Sequence, residues 1–191
     1  MPKQDPAKLK KVSVNLPFGI GGAEWEADVT ERKAAWALYV ELVTRITVES
    51  LQSDQGLLRE ALNSLYKMFE ITRQILREAG PDVGISHNSV GGIAIAVLNQ
   101  GLRPFLSKWH PLLQAWEAQC LPNTSPKEHE KNWSQEPQLR QELRLLSQEL
   151  DEYVKALAQI VGVKKLFFLF LEIYHLCSKS FFPTDSQYTS F

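Results

Sequence analysis

The residues of this sequence whose types and spacing come nearest to a chemical site are the ends of Arg103-Pro-Phe-Leu-Ser-Lys-Trp-His110. On a straight helix, residues seven apart differ by only about 20° in direction. Arg103 and His110 therefore fall on one polar stripe with Asn99, Ser107, Gln114 and Glu117, about two turns apart. A second set is the donors zinc prefers, imidazole and thiolate, at His110, Cys120, His129, His175 and Cys177. Their spacing is poor, because His175-x-Cys177 has no matched second pair, and neither a metal nor a cofactor is expected. Gly19-Ile-Gly21-Gly22 and Gly91-Gly92 could bare backbone N–H groups to an anion, yet neither is followed by Lys-Ser or Lys-Thr. A tight hairpin turn and a close helix contact are their expected roles. No Gly-x-Ser-x-Gly nucleophile elbow and no His-Glu-x-x-His metal helix is present.

The spacing of Arg103 and His110 in a helical chain resembles the arginine–histidine signature of HEPN-type ribonucleases. These are small helical-bundle proteins of bacterial toxin and defence systems, which often act as dimers without metal. The resemblance covers these eight residues and the helical architecture. It implies that His110 acts as general base or acid at an RNA 2′-hydroxyl, that Arg103 holds the phosphate through its planar donors, and that one chain offers half a site.

The elements that must position these residues are set by apolar periodicity. Residues 12–27 alternate in strand fashion, with Val12, Val14 and Leu16 before a Pro-Phe-Gly-Ile-Gly-Gly loop and Trp25 after it, which predicts a short hairpin or extended arm. Asp28 with Glu31 three residues on predicts a capping box and a first helix running to about residue 51, its apolar face Ala35, Leu38, Tyr39, Leu42 and Ile46 widened by Trp36, Val40 and Val43. Ser53 and Asp54 are the expected caps of a second helix carrying Leu58, Leu62, Leu65 and Phe69, which Gly80-Pro81 stops. Asn88 or Ser89 caps a third helix from Ile93 to Trp116, kinked or divided near Arg103 and again near His110 because Pro104 and Pro111 each lack a backbone donor. The proline-rich stretch 121–137 is the expected long loop and internal hinge. Pro137 then opens a fourth helix with a heptad-like seam from Leu139 through Leu143, Leu146, Leu150, Tyr153, Val154 and Leu157 to Ile160, closed by Gly162. Residues 164–177 read as a last short helix. The fold class expected is all-α: an antiparallel four-helix-type bundle with a short N-terminal β-hairpin or extended arm and a short C-terminal apolar helix. Its parts are a flexible basic arm at 1–11, one helical-bundle domain at 12–178 and a loose tail at 179–191.

Composition bounds the function. Twenty-one Lys and Arg nearly balance 22 Asp and Glu, so no global field draws the molecule to nucleic acid or to an anionic membrane. Two distant cysteines and no apolar run after Met1 point to the cytoplasm. Leu143 and Leu150 of the fourth helix, with Phe167, Phe168, Phe170 and Leu171 of the terminal run, form more apolar helix surface than one small bundle needs. The leading expectation is thus a non-enzymatic protein–protein interaction module, self-associating or docking on a larger partner through those residues. The alternatives are the HEPN-like, metal-independent ribonuclease using Arg103 and His110, and membrane association through the Phe-rich segment.

Overall fold

A computed structural model describes residues 12–25, 27–45 and 56–163. The chain divides into a unit that runs to Val161 and a second from Gly162, and the architecture that follows is that of the first. The basic arm, the short C-terminal helix and the contacts expected of Phe167, Phe168, Phe170 and Leu171 lie outside the described residues.

The protein is mostly helical, with one small antiparallel sheet. Strands β1 (Val12–Leu16) and β2 (Gly21–Trp25) pair with Val14 opposite Ala23 and Leu16 opposite Gly21, which is the predicted hairpin. Its turn at 17–20 holds Phe18 and Gly19 at φ 59° and 71°. A left-handed phenylalanine is unfavourable, and two contacts hold it. The Phe18 N–H donates to Glu149 Oε2 at 2.8 Å, and its ring lies on Gly101, where an added Cβ would come within 2.7 Å of the ring.

Helix α1 (Val29–Val43) starts at the predicted cap, Asp28 Oδ1 accepting from the Glu31 N–H at 2.8 Å. The reciprocal half of the capping box is replaced. Glu31 Oε1 accepts from the Val90 N–H at 3.2 Å and ties α1 to the start of α3 (Val90–Ala96). Thr44 caps the carboxyl end of α1, earlier than expected; residues 46–51 of the longer predicted helix lie outside the described residues. Ala35, Leu38, Tyr39 and Leu42 are buried, whereas Trp36 is 52% exposed.

Helix α2 (Leu58–Ala79) ends at Gly80, as Gly80-Pro81 predicted, and leads into a 3₁₀ turn, Pro81–Gly84. Ser89 caps α3 by accepting from the Gly92 N–H at 3.1 Å. Gly91 is a close helix contact, as expected, because a Cβ there would lie 2.5 Å from the Val83 carbonyl oxygen. A π-helical segment, Val97–Leu102, joins α3 to α4 (Arg103–Glu117), so the division expected near Arg103 is present as a change of helix type. The second division, near His110, is absent. α4 runs through Pro111, its two flanking anchors Trp109 and Leu113 being fixed in the core at 1% and 0% exposure.

The proline-rich stretch 121–137 is a packed connector and not a hinge. Within it lies α5 (Pro126–Lys131), capped by Ser125, and both Glu130 and Trp133 are buried. Composition predicted a long loop and hinge, but four contacts override it. The Trp116 indole N–H donates to the His129 carbonyl, His129 Nε2 donates to the Trp116 carbonyl, and the two rings stack at 4.6 Å. Trp133 meets Trp109 edge-on at 6.1 Å. Helix α6 (Glu136–Val161) then packs most extensively on α1 and on β1, and its whole predicted seam, Leu139 to Ile160, is buried. No helix among the described residues is long and apolar enough to cross a membrane.

Candidate functional site

Arg103 and His110 line one groove, of about 690 Å³, between α2 and α4. Because α4 is continuous from Arg103 to Glu117, the seven-residue step between them keeps both on the same side of the helix. The facing helix contributes an equivalent series. Arg59, Tyr66 and Arg73 also recur at steps of seven, and α2 runs antiparallel to α4, so the two series meet in three successive rungs.

At the first rung the Arg59 guanidinium forks onto Glu117, with Nε to Oε1 at 2.9 Å and Nη2 to Oε2 at 2.7 Å. This two-pronged geometry is the strong form of a carboxylate pair. The remaining Arg59 nitrogen, Nη1, reaches His110 Nδ1 at 2.9 Å. Arginine can only donate, so Nδ1 accepts and the imidazole is the neutral tautomer with its proton on Nε2. At the second rung Tyr66 meets the His110 ring edge-on, centroids 5.7 Å apart, while remaining 63% exposed. At the third rung the Arg73 and Arg103 guanidiniums both lie over the Phe69 ring, at 5.8 and 5.3 Å from its centroid. Asn99, in the π segment, orients Arg103 by accepting from its Nε at 3.1 Å.

Burial, reinforced by the neighbouring Arg59 charge, lowers the His110 pKa below its ordinary value; the Leu62 backbone and Glu117 oppose the shift without reversing it. At neutral pH the ring is thus uncharged, and its one lone pair is engaged by Arg59. A general base needs that lone pair free, and a general acid needs the protonated form that this environment disfavours. The arrangement suits recognition better than proton transfer.

Sequence reasoning placed Glu117 in the polar stripe but missed Arg59, Tyr66 and Arg73 as members of a site. The available signal was the matching pair of seven-residue series on two helices, one basic-aromatic-basic and the other basic-histidine-acidic. Leu143 and Leu150, expected to meet a partner, are buried in the chain itself at 4% and 1% exposure, because α6 turns its leucine seam toward α1 and β1. Of the metal-ligand candidates, His129 is spent on Trp116, and no group of three His, Cys, Asp or Glu among the described residues could hold a metal ion. Comparison with protein-family models, curated proteins and solved structures finds no match to this chain.

Proposed function

We propose that this chain is a non-enzymatic protein–protein interaction module, a four-helix-type bundle that receives a segment of a partner in the groove between α2 and α4. One observation carries the reading. Tyr66 is 63% exposed beside two exposed arginines, Arg73 and Arg103, that have no carboxylate partner among the described residues. Exposed tyrosine and arginine are the side chains that anchor interfaces, since each brings large contact area and directed donors. The burial of Leu143 and Leu150 within the chain favours this groove over the α6 seam as the docking surface in this reading.

A photo-reactive phenylalanine analogue in place of Tyr66 tests the proposal in cells. Irradiation is expected to give discrete protein adducts that vanish when Arg73→Glu and Arg103→Glu are combined, and none from the same group at Ile85, which is 79% exposed and outside the groove. Adducts indifferent to the double charge reversal would remove the groove from the function.

The second reading is the HEPN-like ribonuclease, favoured by Arg103 and His110 lining one groove. It requires Arg59 to release Nδ1 during the reaction. Purified chain that leaves RNA intact, or a His110→Ala variant that cleaves as fast as the parent, excludes it.

A further inference from the structure

We infer that the Arg73–Arg103 end of the groove receives the phosphate monoester of a phosphorylated side chain on the docked segment, an inference that rests on the docking reading. Two guanidiniums from helices remote in sequence converge on one ring, Phe69, each within 6 Å of its centroid. Like charges so placed repel, and the ring face offsets this only weakly at an exposed site. Three other described arginines are neutralised by carboxylates, Arg45 by Glu41, Arg59 by Glu117 and Arg140 by Glu130 and Glu136, and Arg32, Arg77 and Arg144 stand without one among the described residues; what sets Arg73 and Arg103 apart is that two unneutralised guanidiniums share one ring. At this rung no carboxylate from the described residues is in place. Asn99 holds Arg103 by Nε alone, which leaves its two terminal nitrogens to donate, and Arg73 makes no hydrogen bond to the described residues.

The charge required is that of a dianion. A phosphate monoester carries about −1.5 to −2 at neutral pH and offers three acceptor oxygens, enough for both guanidiniums, whereas one carboxylate would leave a positive charge uncompensated. The positive charge is also confined to this end. The next rung, Tyr66 with neutral His110, carries none, and Arg59 at the last is matched by Glu117. A nucleic-acid strand needs basic groups along its whole track; this groove would meet it with a carboxylate at one end, in a chain of net charge −1. A peptide presents a single dianion to Arg73 and Arg103 and lays its following residues on Tyr66 and Pro111.

The test follows the arginine Nε–H signals of the ¹⁵N-labelled full chain during titration with phenyl phosphate and, separately, benzoate. Phenyl phosphate is expected to shift and saturate Arg73 and Arg103 at a concentration about tenfold below benzoate, leaving Arg77, outside the groove, in place. No shift, or equal response to benzoate, overturns the phosphate assignment. A second arm compares a fluorescent peptide pool with one fixed phosphoserine, its unphosphorylated twin and a short oligouridylate. About a tenfold preference for the phosphorylated pool, lost in Arg73→Gln and in Arg103→Gln with an unchanged circular-dichroism spectrum, supports the inference. Equal binding of the two pools that Tyr66→Ala weakens overturns the phosphate and leaves the docking groove standing; tighter binding of oligouridylate overturns both.

Discussion

Two faces of α4 treat charge differently. Toward α5 and α6 most charged groups are matched, although Arg140 Nη1 is buried without a hydrogen-bond partner among the described residues. Lys108 and the Trp109 indole N–H both donate to Glu142, at 2.6 and 2.8 Å, and although partial burial works the other way, these bonds and one from Gln138 hold its carboxyl below the usual range. Nearby, buried Glu130 accepts from the Leu58 N–H with both oxygens and pairs with Arg140, which also pairs with Glu136. Toward α2 the Arg59–Glu117 pair is matched, whereas Arg73 and Arg103 at the other end carry no counter-charge from the described residues. Matched polar groups hold a fold together, because a buried group without its partner is costly. Charges left unmatched at the rim of a groove contribute little to the fold beyond their contacts with Phe69 and Asn99, and under the proposed reading they serve what the groove binds.

The largest expected effect comes from breaking the matched side. Glu130→Ala leaves the Arg140 charge and the Leu58 donor without Glu130, and unfolding in urea is expected to register a loss of about 3–5 kcal/mol. A loss below about 1 kcal/mol would mean that water satisfies both groups. Trp109→Phe keeps the ring against Trp133 but removes the bond to Glu142, with an expected cost of about 1–2 kcal/mol in the same measurement.

Because His110 has a lowered pKa, the folded chain binds fewer protons there than the unfolded chain between the lowered value and the ordinary one near 6.5, so stability rises with pH across that window and is lost as pH falls through it. Urea midpoints are expected to drop on acidification through this window more in the parent than in His110→Gln; parallel curves would contradict the burial argument. The smallest stability effect belongs to the unmatched side. Arg73→Glu with Arg103→Glu is expected to change the unfolding free energy by no more than about 0.5 kcal/mol while abolishing binding, and a large destabilisation would show that both arginines serve the fold.

This contrast also explains what could be read from the sequence. Local signals were sufficient for the caps at Asp28 and Ser89, the stop at Gly80-Pro81, the hairpin around Phe18-Gly19 and the leucine seam of α6, since each depends on neighbours within a few residues. Pairings across the fold had no local trace. Ser53 and Asp54 were the expected caps of α2, and both lie outside the described residues. The helix begins after Leu57, which supplies no capping side chain, and its first turn is completed by Glu130 from another element. The same holds for the fork of Arg59 on Glu117, 58 residues away, which turns His110 from a free imidazole into a bound one. The stretch around His129 and Trp133 read as a loose hinge because prolines are visible in composition, whereas the stacking that anchors them is visible only in three dimensions.

Glu130 has a consequence for how the chain is born. The residue that finishes the opening turn of α2 lies 72 positions downstream of Leu58. While a ribosome is still adding α4, the Leu58 N–H has only water to accept from it and stays open to exchange. The bond can form only once Glu130 has emerged from the ribosome, so the amino end of α2 is completed late although it is made early.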